Sequence, residues 1–532
     1  MTHDPIAQHL LTQLAKQAIS RREFLGRMSA LAISAGALGT ALPGHARAAA
    51  PKKGGKLTIG GEAAQTKDSL DPTKFFSTSN LLMGYLVYDT LVNRGPDLKP
   101  VPWLAESWDI GADASEWIFK LRRGVTFHNG KTFTADDVIY SVSRHIGKTS
   151  ESPAKAYLGQ IQALTKDDDY TVRFKLQGPY ADFPIVLSDT RVQITQNGYE
   201  SFAETAPGTG PFRVKQWRPG SRYLFERNDA YWRTDGPWVD QVEVVGIGDI
   251  TARVNALIAG DINALIQLDP KAVGALERNE RVTVLDAKSS SFLNLALMLD
   301  RAPTNNNDVR LALKYAIDRE KIVANVRKGK GLVGNDHPLS SVDPYYNEQV
   351  AQRRYDPDKA RFYIRKAGLE NAPIDLYASD VPGAGGIAAA QVLQQSAAAA
   401  GVNLNIIQPP ADSYWSSVWM QKAICVSGWD GRPVPDLIFS IAFKGGGSYN
   451  ETKWENPRFD KLLLEARGVT DFAKRKEMYG EMQQMLQDDG GHITLSFLDY
   501  LDATRSEVKG ITPHSSGPLG FFQGPRTAWI DG

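Results

Sequence analysis

LKPVPWLAESWDIGADASEWIFKLRRGVTFHNGKTFTADDVIYSV, residues 98–142, packs strand, turn and helix signals into one uninterrupted run. Trp117-Ile118-Phe119-Lys120-Leu121 is rich in strand formers, and Asn129-Gly130 is a turn dipeptide. Thr134 is placed to cap a helix carrying Val138, Ile139, Val142 and Ile146 on one face. A strand that turns into an amphipathic helix points to a mixed α/β protein.

The same signals continue on both sides. Pro51 to Gly55 reads as a linker and Lys56 to Gly60 as a first strand. Val172, Phe174 and Leu176 alternate with Thr171, Arg173 and Lys175, the pattern of a half-buried strand. Phe212 to Trp217 and Arg222 to Glu226 flank Arg218-Pro219-Gly220-Ser221, a hairpin signal. From Ile250, the residues Val254, Leu257 and Ile258 mark a helix that Gly260 stops. Further on, Val309, Leu313, Ala316 and Ile317 open a helix expected to end by Gly329. Asp356-Pro357 caps another, closed by Gly368. Tyr479, Met482, Met485 and Leu486 form a core stripe on a late helix. The order of strands and helices shows no βαβ rhythm and no internal repeat.

The chain has 532 residues, more than one hydrophobic core organises, so several lobes are expected. Its net charge of +1, with both signs interspersed, gives no reason to expect a nucleic acid as partner. Cys425 is its single cysteine, which excludes an internal disulfide and clustered-thiolate metal sites.

Residues 20–48, SRREFLGRMSALAISAGALGTALPGHARA, have the order of a secretory signal: a basic start, an apolar run, and the small-x-small site Ala46-Arg47-Ala48. Ser20-Arg21-Arg22 with Phe24-Leu25 is the twin-arginine form. The apolar run from Met28 to Leu42 is about fifteen residues, short of the ~20 that span a membrane. The expectation is cleavage after Ala48 and a mature chain in the periplasm.

Catalytic patterns are missing. Gly-x-Ser-x-Gly, His-Glu-x-x-His and the Walker loop do not occur. Ser152-Pro153-Ala154-Lys155 matches Ser-x-x-Lys, but its partner motifs Ser-Asp-Asn and Lys-Thr-Gly are absent. His128, His145, His337, His492 and His514 are scattered without i,i+4 pairing, and Asp167-Asp168-Asp169 lacks the glycine and glutamate of a calcium loop. No catalytic residue, cofactor or metal site is assigned.

Four blocks carry a resemblance. Residues 98–142, then GTGPFRVKQWRPGSRYLFERNDAYW (208–232), NNNDVRLALKYAIDREKIV (305–323) and YDPDKARFYIRKAG (355–368), resemble the family 5 extracellular solute-binding proteins, the peptide, oligopeptide and nickel receptors of ABC importers. The resemblance implies an α/β fold of the periplasmic-binding-protein type: two lobes joined by a hinge, with an extra N-terminal subdomain. Lobe I would comprise 49–92, 207–291 and 498–532, the subdomain 93–206, and lobe II 292–497. It implies a monomeric receptor that encloses a small peptide or peptide-like solute between its lobes and delivers it to an inner-membrane ABC permease.

One departure bears on the ligand. Peptide-binding members resembling this chain carry Gly-Trp-x-x-Asp, whose aspartate meets the free amine of a peptide. Here the matching stretch is SGWDGRPVPD, 427–436: Gly428 and Trp429 fit, but Arg432 stands at the aspartate position. Two readings stay open. Arg432 faces an acidic group, as in an opine-like conjugate, or it turns to solvent while Asp430 takes the amine. Ser79 and Asn80, in FFSTSN, stand where relatives place cleft residues, and Trp415 is a candidate to stack on the ligand. A metal-chelate or haem receptor, served by histidines such as His492, is an alternative within the family, and an exported hydrolase one outside it.

Overall fold

The computed structural model describes residues 50–531 apart from 63–65, 112 and 448. The signal segment 20–48 lies outside the described residues. Two long strands, Val282–Leu297 and His492–Arg505, run antiparallel through the middle of an eleven-stranded sheet. Their register shifts between Lys288 and Phe292, at Ser289-Ser290-Ser291. These serines satisfy the disturbed backbone themselves: Ser289 Oγ donates to the Leu498 carbonyl (2.7 Å) and accepts from the Ser291 amide (3.0 Å). Short hydroxyl side chains compete with the ladder in this way, and a bulge is the result.

On one side of the bulge the sheet continues through Ala264–Leu265, Lys56–Gly61, Gln241–Gly246, Arg222–Arg227 and Phe212–Arg218. On the other it continues through Ile424–Trp429, Pro373–Tyr377 and Asn403–Ile407, while Gly331–Val333 pairs with the second long strand. Each side has its own core. Leu57, Ile59, Phe225, Val242 and Phe521 belong to the first; Leu293, Leu295, Leu313, Leu376 and Leu393 belong to the second. A further core packs Trp454, Phe459, Tyr479, Met482 and Leu486, so the late helix Phe472–Asp489 buries the expected stripe.

Residues 105–176 supply a separate antiparallel sheet in the order Ala105–Ile110, Glu116–Leu121, Thr171–Leu176, Ile161–Asp168. The helix Ala135–Ile146 covers it, buries Val138 and Val142, and starts with a capping box between Thr134 and Asp137. Buried Asp89 ties this segment to the first core. It accepts from the indoles of Trp103 (2.7 Å) and Trp232 (3.0 Å) and from the hydroxyls of Tyr231 (3.0 Å) and Thr209 (2.9 Å).

Two expectations need correction. Pro373–Tyr377, the helix Gly386–Ala398 and Asn403–Ile407 form a parallel βαβ unit. Its helix buries a face made largely of Ala389, Ala390 and Ala397, which sets up little contrast for a periodicity to detect. The helix from Asn307 also stops early, at Ala316: Ile317 is extended (φ −88°, ψ 121°), and Asp318 caps a new turn by accepting from the Lys321 amide at 3.0 Å. A π-helical turn, Ile322–Val326, follows.

Candidate functional site

A cavity of about 510 Å³ opens where the segment 93–206 and both arms of the large sheet come together. Thr78 and Leu81 of the helix Thr78–Val87 line one side, with Arg94 and Gln267. Tyr157, Asp189, Thr190 and Arg191 line a second, and Trp429 to Pro433 with Leu437, Ile441 and Tyr449 a third. Tyr500 and the C-terminal turn Ser516–Phe522 complete it. The wall mixes apolar and aromatic side chains with charged ones, Arg94, Asp189, Arg191, Asp430 and Arg432, so it can orient a polar solute.

The loop 429–433 leaves the end of the strand Ile424–Trp429 and is held by buried groups behind it. Gly428 lets that strand approach Pro382, because a Cβ there would lie 2.5 Å from the Pro382 carbonyl oxygen. Glu451, buried, accepts from the indoles of Trp429 (3.1 Å) and Trp419 (2.6 Å), from Ser427 Oγ (2.6 Å) and from Asn294 Nδ2 (2.8 Å). The Gly431 amide donates to Ser291 Oγ at 3.0 Å, and Ser291 is bonded in turn to the Tyr500 hydroxyl at 3.1 Å. The serine bulge of the long strands therefore touches the cavity loop directly.

Charge in the wall is unevenly matched. The Arg191 amide (2.9 Å) and Nη1 (3.4 Å) both donate to Asp189 Oδ1. Burial pushes the Asp189 carboxyl up, but the Arg191 guanidinium and amide override this and hold it below the usual carboxylate range. Arg94 donates from Nε to Ser188 Oγ (2.8 Å) and stacks 4.7 Å over Phe521; burial lowers its pKa. Burial, then the charge of Asp430, pushes Tyr500 up to about 12. Asp430 and Arg432 make no hydrogen bond or ion pair to any described residue, and Arg432 Nε is buried without an acceptor.

Trp429, Asp430 and Arg432 thus line the cavity, and Gly428 stands just behind them. Ser79 and Asn80 are buried on the helix whose neighbours Thr78 and Leu81 face the cavity; Asn80 Nδ2 donates to the Ser69 carbonyl at 3.0 Å. Trp415 is exposed outside the cavity, edge-on to Trp419 at 5.6 Å. His492 sits in the core, bonded to Thr494 Oγ1 at 2.9 Å and packed edge-on to Phe292 and Phe443. Among the described residues no cluster of three or more His, Cys, Asp and Glu side chains is placed to hold a metal. Ser152 is buried, bonded to His145 Nδ1 at 2.6 Å and accepting from the Ala154 amide; Lys155 donates instead to the carbonyls of Gly147, Lys148 and Ser150.

Arg94, Tyr157, Asp189, Arg191, Gln267 and Tyr500 were not legible in the sequence. They come from five separated segments, and none carries a local pattern. The turn at Phe521-Phe522 was equally hidden: Leu519, Gly520, Phe521 and Phe522 all have φ between 44° and 66°. Non-glycine residues there are strained and mark functional surfaces more often than others. Asp502 braces the turn by accepting from the Leu519 amide at 2.6 Å.

Known proteins share the fold of this chain. The dipeptide-binding protein of Escherichia coli K12 is 27% identical over 455 residues, covering 77% of this chain and 83% of that protein. The substrate-binding protein CtaP of Listeria monocytogenes has the same fold, with a TM-score of 0.80 at 23% identity over 90% of this chain and all of that one. So has the periplasmic protein AgaA of A. tumefaciens R10, in complex with agropinic acid: TM-score 0.73, 22% identity, 90% of this chain and 99% of that one. The family description "bacterial extracellular solute-binding proteins, family 5 Middle" matches residues 99–451, and the chain belongs to that family.

Proposed function

We propose that this protein is the periplasmic receptor of an ABC importer for peptides or peptide-like solutes. The observation that carries the reading is the cavity, about 510 Å³, whose wall is shared among three separately cored parts of the chain, through Phe521 and Phe522, Tyr157, and Trp429. We divide the mature chain into lobe I (49–92, 207–291, 498–532), a subdomain (93–206) and lobe II (292–497). The bulge at 289–291 is then the hinge, since the long strands pass there from one core to the other. Closure removes the solute from water, and the solute favours the closed form only by binding it better.

Within the site, Trp429 and the backbone of Gly428 flank the solute, and unpaired Asp430 takes an amine. Ser79 and Asn80 act by seating the helix that carries Thr78 and Leu81. Trp415 acts through Trp419, which shares Glu451 with Trp429. Delivery to an inner-membrane permease, a monomeric state and export through Arg21-Arg22 with cleavage after Ala48 complete the proposal.

The test is thermal unfolding of mature protein against short peptides with free and acetylated amino termini and against acidic amino-acid conjugates, followed by mass analysis of the recovered solute. A ligand at 100 times its Kd adds about 2.7 kcal/mol. A raised Tm with the solute returned intact supports the receptor. No shift from any compound, or a chemically altered solute, overturns it. Replacing Arg21-Arg22 by lysines should keep the chain out of the periplasmic fraction, where the mature form should begin at Ala49.

A further inference from the structure

Apart from exposed Asp430, the groups left without partners in this wall share one character. Arg432 Nε and Arg191 Nε are both buried with no hydrogen-bond acceptor, and the buried Tyr157 hydroxyl, beside Asp189, also lacks a bond of normal geometry. All three can donate, and two are cationic. Buried donors in a folded protein are almost always paired, and leaving one unmade costs more than making it returns. Tyr157 has the Asp189 carboxylate beside it and Arg191 is paired with that same carboxylate, so Arg432, whose guanidinium meets no acceptor among the described residues, is the group in this wall that a solute would satisfy.

The charge balance points the same way. Asp189 is already taken up by Arg191, and Arg94 is bonded only to uncharged Ser188. Asp430 is exposed at the rim, whereas Arg432 is half-buried, and the charge of Arg432 is felt at both the Tyr157 and the Tyr500 hydroxyls. A guanidinium offers parallel donors in a plane, which matches the two oxygens of a carboxylate better than any neutral acceptor.

We propose that the solute carries a carboxylate held by Arg432, with Arg191 and the Tyr157 hydroxyl completing its hydrogen bonds. The proposal rests on the receptor reading and adds the chemical class: an acidic solute, in which any amine lies toward Asp430. A peptide amide or a neutral sugar would offer these donors only uncharged acceptors, leave the Arg432 charge uncompensated and bind more weakly for that reason.

Calorimetry on the mature protein tests it, using dipeptides with free carboxylates, their C-terminal amides, and N-carboxyalkyl amino acids, against the unaltered chain, Arg432→Gln and Tyr157→Phe. Arg432 has no partner in the protein, so Arg432→Gln should keep the parent Tm. The expected result is binding of carboxylate-bearing compounds at least about thirtyfold tighter than their amides, with that preference lost in Arg432→Gln. Tyr157→Phe should reduce it severalfold. Equal binding of acids and amides, or an unchanged preference in Arg432→Gln, overturns the carboxylate site while leaving the receptor standing. Binding of N-carboxyalkyl compounds without peptides keeps the site and removes the peptide from the receptor reading. Failure of every carboxylate compound to bind overturns the site as well.

Discussion

Trp429 Nε1 donates to Glu451 Oε1 at 3.1 Å, and the same carboxylate holds Trp419, Ser427 and Asn294. An aromatic face in the cavity is thus aimed by a buried acid beneath it. Glu451→Gln puts an NH₂ where donors converge and strands at least one of them. The expected cost is about 2–4 kcal/mol of stability, with weaker solute binding because Trp429 loses its fixed orientation. Urea unfolding and calorimetry check both; unchanged values for both would remove Glu451 from the site's support.

Gly428→Ala places a Cβ 2.5 Å from the Pro382 carbonyl oxygen, against backbone that a rotamer change does not relieve. We expect a loss of about 1–3 kcal/mol and a drop in affinity, as the strand end moves away from Pro382 and carries Trp429 with it. A parent-like Tm would show that the strand accommodates the methyl group freely.

Asp182 and Arg475 form an ion pair of 3.0 Å between the segment 93–206 and the late helix, with each side chain 8% exposed. Beside it, Ile185 packs on Val434 and Leu437, and Leu437 lines the cavity. Arg475→Met alone should cost about 3–5 kcal/mol, because Asp182 stays buried without its cation. Asp182→Leu combined with Arg475→Met should recover most of that. A double variant as unstable as the single would mean that packing, not the unpaired charge, dominates.

Acid and alkaline limbs of stability have separable sources. Burial pushes His337 down to about 4, so its ring stays neutral in the fold. The stability this contributes is present above the unfolded value near 6.5 and is lost as pH falls toward 4; His337→Phe should flatten that limb, by up to about 3 kcal/mol. Burial pushes Asp343 up to about 7. Its contribution is present below about 4 and lost as pH rises through 7, so Asp343→Asn should gain a few kcal/mol on the parent at pH 8. Unfolding free energies from pH 4 to 8 test both signs.

The sequence was most readable where one face of an element is buried and the other wet. Val172, Phe174 and Leu176 are buried in alternation on a strand, and Gly260 ends its helix at φ 89°. The alanine-faced helix Gly386–Ala398 lacked that contrast, and the break at Ile317 came from a cap that competes with an otherwise continuous apolar pattern. The loop 428–432 was legible because its residues are contiguous. Tyr157, Asp189, Arg191 and Tyr500 reach it only through the fold, and no spacing along the chain encodes their meeting.

Cys425 lies fully buried on the strand Ile424–Trp429, and burial pushes its thiol pKa up, away from the reactive thiolate. To a maleimide or an iodoacetamide the folded protein is a cysteine-free surface. A single cysteine introduced on either side of the cavity would carry a dye alone, without prior replacement of the native residue. The lobe closure proposed for the receptor would then be read by fluorescence in the otherwise unaltered chain.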